Sequence, residues 1–292
     1  MFKLSSFFAD VVRDSEFIQT QFANTVMPFS LCYVAREQYL TQANNNPNIS
    51  CVIVPKNLAD KVDASKGVVI ERFPEQVFYQ LHNKLFLSGE MVPQMDFSKN
   101  STAFIHSSAI VSKKTFIGSG VSIGAGVIIE DYSYIGDNVT IESGAIIGSS
   151  GHYYKQYDNS LFRVEHAGGV WLERGVQVLS GAVVSKSLHT DFTRIGEETV
   201  LSINSHVGHG CQVGQKCTLT GNVQVSGFTN IGNNVWIGPS STIGNLLTIG
   251  DNSRIEIGSV VISNLAADSR VSGNFAWNHR QNVREYTKKV NN

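Results

Sequence analysis

Two imidazoles stand three residues apart in Asn204-Ser-His-Val-Gly-His-Gly-Cys211, and they are the side chains in this sequence best suited to chemistry. Histidine titrates near neutral pH, so it can take a proton from an attacking nucleophile and return it to a leaving group. Val207 belongs to an inward apolar pattern, which leaves His206 and His209 outside it, with Asn204, around a single corner of the chain. Eighteen residues beyond His209 lies Gly227, in Val225-Ser-Gly-Phe228. In a fold whose coil closes every 18 residues or so, the Gly227 amide stacks beside the His209 imidazole. A base next to a free amide suits acyl transfer to an amine. The base deprotonates the attacking nitrogen, and the amide holds the oxyanion of the tetrahedral intermediate. His106, His189 and His279 have structural readings. No G-x-S-x-G, P-loop or activated-cysteine context occurs, so covalent catalysis and phosphoryl transfer are not indicated. No Cys or carboxylate cluster accompanies His206-x-x-His209, and no metal site is expected.

The elements that must position these residues follow from a period of six. Branched or leucine-like residues fall at every sixth position from Ile105 to Ile147, and again from Ile195 to Val261. Neither a helix (period 3.6) nor an alternating strand (period 2) selects six. Six suits a solenoid with three short strands per coil, each turning one aliphatic inward. Ile-Gly recurs through both runs, and a glycine after the inward aliphatic suits a tight corner that needs positive φ or no Cβ. The rhythm breaks over residues 149–169, a polar and aromatic loop with His152, Tyr153, Tyr154 and His166, and an 11-residue step from Val184 to Ile195 shifts its phase. Such a loop either serves function or caps an edge of the solenoid.

Residues 1–97 do not follow the rule. They alternate short apolar stretches with helix-prone pieces at 35–43 and 74–86, which predicts a small α/β domain. The solenoid spans 102–265, and 266–292 reads as an extended segment followed by a basic helix that includes Arg280. The fold class is thus mainly β: a parallel β-helix with a small N-terminal α/β domain and a short C-terminal helical segment. A formal charge of −1 offers nothing to nucleic acid. No apolar stretch reaches the ~20 residues of a membrane helix, so no stable membrane insertion is expected. Cys32, Cys51, Cys211 and Cys217 are too sparse for a disulfide framework, which with the absence of a signal peptide reads as cytoplasmic.

These features resemble the hexapeptide-repeat acyltransferases, and within them the UDP-3-O-acylglucosamine N-acyltransferases of lipid A synthesis. The resemblance runs from about residue 29 to 285. It is carried by Cys51-Val-Ile-Val-Pro55, Ile105-His-Ser-Ser-Ala109, His166-Ala-Gly-Gly-Val170, Val207-Gly-His209 and the segment from Val271 to Arg280. It implies a left-handed coil, a homotrimer with sites between subunits, His209 as general base and the Gly227 amide in the oxyanion hole. It also implies an N-terminal domain that holds a nucleotide base with aromatic side chains, matched here by Tyr33 and Tyr39. Asn245 and Arg280 are candidate donor contacts. Asn204, His206, His166 and His152 to Tyr154 are candidates for the nucleotide sugar.

The sequence departs from that family where substrate is read. Arg36 replaces an Asn, Ser150-Gly-His-Tyr-Tyr154 replaces a Gly-Phe-Gly-Phe loop, Ser202-Ile203 replaces an Asp-Asn pair, and Leu246 replaces a supporting His. The pattern resembles acyltransferases of dTDP-4-amino-4,6-dideoxyhexoses, which use acyl-CoA as co-substrate and hold no permanent cofactor. The expected reaction is N-acylation of a dTDP- or UDP-linked amino sugar by acyl-CoA. The alternatives are the lipid A reaction with acyl-carrier protein, and a silent repeat scaffold or binding module.

Overall fold

The computed structural model describes residues 1–100 and 102–290, which divide into two compact units. The larger comprises Gln94–Gly151, Gly168–Ser187 and the chain from Phe192 onward. Its strands, mostly two or three residues long, stack into three sheets that form the faces of a prism. Among the described residues the first face has seven strands, from Thr115–Ile117 to Thr248–Ile249. The second has ten, from Phe104–Ile105 to Trp277–Asn278, and the third eight, from Ile110–Val111 to Val260–Val261. Pairing is parallel throughout except at the last pair, Arg270–Ser272 with Trp277–Asn278.

The sixfold aliphatics are the reason for this architecture. Ile123 pairs with Ile141, Val207 with Val225 and Val225 with Ile243, each one coil apart, and these side chains are 0–1% exposed. Each ladder forms one edge of a dry interior, and removing a rung would cost ~2–5 kcal/mol. Of the two expected reasons for a glycine after the aliphatic, positive φ or no Cβ, the second holds at most corners, while Gly148 after Ile147 takes positive φ, at 90°. At Gly208 a Cβ would stand 2.7 Å from the Gly227 nitrogen, and at Gly196 2.5 Å from the Gly214 carbon. Positive φ falls two residues later, at Asn138, Asn204, Asn222, Asn234 and Asn252, where asparagine tolerates the left-handed region.

The interruptions leave the ladder intact. Ile135 pairs with Leu172, and Leu172 with Ile195, so each excursion is extruded between consecutive rungs. Both leave the coil between a third-face strand (Ile146–Ser149, then Val183–Ser185) and a first-face strand (Gly169–Leu172, then Phe192–Ile195). The next turn along this same edge carries His209.

The smaller unit comprises Met1–Pro93 with His152–Ala167 and Leu188–Asp191. Its five-stranded sheet has Ile49–Val54 at the centre, parallel to Ser30–Tyr33 and Gly67–Ile70. The helix-prone piece at 35–43 resolves into a 3-10 turn, Glu37–Tyr39, and helix α1, Leu40–Asn45. Helix α2, Pro74–Leu87, starts with proline, whose missing N–H costs nothing in a first turn. It buries Phe78, Tyr79, Leu81, His82 and Leu85. Part of the interrupting segment forms a hairpin, Tyr154–Tyr157 with Ser160–Arg163. Its two turn residues, Asp158 and Asn159, both have positive φ, the twist that suits tight hairpins. No helix among the described residues is long and apolar enough to cross a membrane.

Candidate functional site

The 18-residue stacking places His209 and Gly227 in one column of the edge between the third and first faces. Gly227 is buried under the imidazole: a Cβ there would lie 2.5 Å from Nε2 and within 2.9 Å of Cδ2 and Cε1. Any larger residue here would have to displace the ring. The Phe228 amide donates to the His209 carbonyl at 2.8 Å, and the Leu246 amide to the Gly227 carbonyl at 3.1 Å, which ties three coils together. The Gly227 N–H itself meets no acceptor among the described residues. At the same corner position elsewhere, side-chain oxygens take that amide: Ser119 N–H donates to Asp137 Oδ1 (2.7 Å), Gln215 N–H to Asn233 Oδ1 (3.0 Å), and Asn233 N–H to Asp251 Oδ1 (2.7 Å). An uncapped donor beside a half-buried imidazole is equipped to meet a developing oxyanion.

Sequence reasoning missed Phe228. Its ring stands edge-on to His209, centroids 4.9 Å apart, and fills the space where a Cβ on Gly210 would be. Phe228 holds φ at 57°, and Leu246, one coil on, at 61°. A bulky residue in this region costs ~1–2 kcal/mol, and asparagine or glycine takes the position in most other coils. Backbone strain of this kind lies in the column beside His209, and also at Glu198 and Lys216 elsewhere in the coil. A large aromatic where the corner rule asks for Asn or Gly was the available signal.

The other candidates are spread more widely than expected. The stretch from Asn204 to Cys211 spans two corners rather than one, because His206–Val207 is a third-face strand between them. Asn204 lies at the preceding edge, folded over Gly181, where a Cβ would meet its Oδ1 at 2.4 Å. His206 projects from the third face, half-buried, with Nε2 3.2 Å from Ser185 Oγ. Burial holds its pKa below the usual imidazole value, so it is neutral at physiological pH. Asn245 is exposed, one coil beyond Gly227 in the same column. Arg280 is exposed on helix α3, His279–Val290, beyond the last coil. Cys211 is turned inward and fully buried; its thiol donates to the Ser226 carbonyl at 3.1 Å, and burial pushes its pKa up to about 12.

In the smaller unit Tyr33 is already engaged. Its ring packs on Phe78 and Tyr79, centroids 5.1 and 5.8 Å away, and its hydroxyl donates to Glu75 Oε1 at 3.0 Å. Burial and the neighbouring Glu75 raise its pKa further, so it remains a phenol. Lys155 Nζ reaches the same carboxylate oxygen at 2.6 Å, and Tyr153 and Tyr79 hydroxyls share a 2.9 Å hydrogen bond. Glu75, Lys155 and Tyr79 were not singled out from the sequence, since their pairing depends on the fold. Tyr39 is half exposed and Arg36 exposed. His152 and Tyr154 are exposed, with ring centroids 4.9 Å apart, whereas His166 is buried. Among the described residues no three His, Cys, Asp or Glu side chains form a metal-binding group.

Residues 114–149 match the family described as bacterial transferase hexapeptide (six repeats). The chain is 34% identical over 82 residues to a UDP-3-O-acylglucosamine N-acyltransferase of Synechococcus elongatus, covering 28% of this chain and 23% of that protein. It is 35% identical over 78 residues to the enzyme of the same name from Microcystis aeruginosa, covering 27% and 22%. The match thus spans under a quarter of the length of these curated relatives. Among solved structures, the UDP-N-acetylglucosamine O-acyltransferase of Moraxella catarrhalis aligns over 64% of this chain and 74% of that one, at 27% identity and a TM-score of 0.42.

Proposed function

We propose that this left-handed parallel β-helix, whose residues 114–149 match the bacterial transferase hexapeptide family, is an N-acyltransferase. It transfers an acyl group from acyl-CoA to the amine of a dTDP- or UDP-linked amino sugar. The observation that carries this reading is the His209 imidazole lying against the α-carbon of Gly227, a residue whose own N–H meets no acceptor among the described residues. The amine nitrogen attacks the thioester carbonyl while His209 accepts its proton. The oxyanion of the tetrahedral intermediate takes the Gly227 N–H, the C–S bond breaks, and the proton passes from His209 to the leaving thiolate. No covalent acyl-enzyme is needed, which suits the inward-facing Cys211.

The smaller unit is assigned to the nucleotide, with Tyr39, Arg36, His152 and Tyr154 as its exposed contacts. Tyr33, Tyr153 and His166 are further candidates for the nucleotide sugar in the smaller unit, and Asn204 and His206 in the coil; Asn245 and Arg280 are assigned to the donor. The enzyme acts as a cytoplasmic homotrimer. The name shared by the sequence relatives favours a second acceptor, a UDP-3-O-acylglucosamine, and acyl-carrier protein is the alternative donor to pair with it. Thiol release measured with acyl-CoA and with acyl-carrier protein, against UDP- and dTDP-amino sugars, separates the two. Turnover with acyl-CoA and an amino sugar is the expected result. A protein that turns over none of these combinations, and whose unfolding temperature no nucleotide sugar or CoA raises, is a scaffold and not an enzyme.

A further inference from the structure

Helix α3 carries no buried residue, and it follows Phe275 and Trp277, which are 63% and 43% exposed. Asn282 Nδ2 donates to the carbonyl and hydroxyl oxygens of Ser272, at 2.8 and 2.9 Å, and pins one side of the helix to the end of the coil. At ~100° per residue, Val283, Tyr286 and Val290 fall in one narrow sector, all exposed. Arg280 and Arg284 flank that sector on one side and Lys289 on the other. Lys288, paired with Glu285 at 2.9 Å, continues the cationic side. Four basic residues and one acidic give the helix +3, whereas the chain totals −1, so the remainder is −4.

The positive charge is therefore segregated onto the element that also exposes an aliphatic and aromatic stripe. The stripe is one side chain wide, convex, and bordered by cations on both sides, a form that suits a plane better than a protein groove. Tyrosine and tryptophan settle at the headgroup level of a bilayer, and arginine and lysine extend their stems along the apolar strip to reach lipid phosphates. We propose that residues 275–290 form an interfacial anchor that lays α3 on an anionic phospholipid surface. One short stripe gives reversible, salt-sensitive attachment rather than insertion.

The test is co-sedimentation of the whole protein with vesicles of phosphatidylcholine alone, and of phosphatidylcholine mixed with phosphatidylglycerol. The wild type pellets with the phosphatidylglycerol vesicles only, and less as salt is raised. Arg284→Gln and Lys289→Gln each weaken partitioning about fivefold, from ~1 kcal/mol per surface cation. Tyr286→Ser weakens it too, and because no α3 side chain is buried all three variants unfold at the wild-type temperature. Wild type that ignores phosphatidylglycerol, or variants that bind as well as wild type, overturn the proposal. It is equally overturned if these substitutions alter only the solution mass or the binding of an acidic carrier protein.

Discussion

The imidazole of His209 covers the α-carbon of Gly227 one coil away, so closely that a methyl group there would stand 2.5 Å from Nε2. Glycine at 227 is thus required for the space under the ring.

Gly227→Ala pushes the imidazole off its column. Because His209 is half-buried, the fold loses only ~1–3 kcal/mol, while kcat falls about a hundredfold from the misplaced base. Steady-state kinetics and thermal unfolding of the variant check this. A wild-type kcat would remove the geometric basis of the site.

Direct attack on the thioester leaves no role for the corner cysteine. Cys211→Ala is expected to keep kcat within a few-fold of wild type while losing ~1–2 kcal/mol of stability from the vacated core position. Alkylating reagents should leave the native enzyme active, since burial keeps this thiol protonated. Loss of activity by a well-folded Cys211→Ala would favour an acyl-enzyme instead.

The smaller unit has its own pH response through His82. Its Nε2–H donates to the Glu165 carbonyl at 2.9 Å, and its Nδ1 lies 2.6 Å from the Thr20 hydroxyl, which can donate to the neutral ring. Burial pulls its pKa down to about 4 from an ordinary 6.5. The unfolded chain therefore binds the proton more readily. The stabilisation is fully present above pH 6.5 and is lost as pH falls toward 4, by about 3 kcal/mol in all. Denaturant unfolding across that range should show the slope, and His82→Gln should flatten it. An unchanged slope in the variant would assign the acid response elsewhere.

Most of the coil was legible because its interior is filled by one residue type at one spacing, so Ile123, Ile141 and Val207 announce both the period and the inward direction. The His209–Gly227 stacking followed from that spacing alone. Of the two reasons the sequence offers for a corner glycine, positive φ or no Cβ, the second is the main one. The sequence shows Ile-Gly, but the glycine is there for close approach of the next coil, and the left-handed turn falls two residues later on Asn, or on Phe228 and Leu246. The links from Tyr33 to Glu75 and from His206 to Ser185 join residues 42 and 21 positions apart with no local pattern, and only the folded chain displays them.

The most direct measurement is the acyl-CoA-dependent turnover of His209→Ala beside wild type on the best nucleotide-linked amino sugar. A loss of ~10²–10⁴ in kcat with an unchanged unfolding temperature is the predicted result. Turnover near the wild-type rate would contradict His209 as the base, and with it the reading of this edge of the coil as the catalytic site.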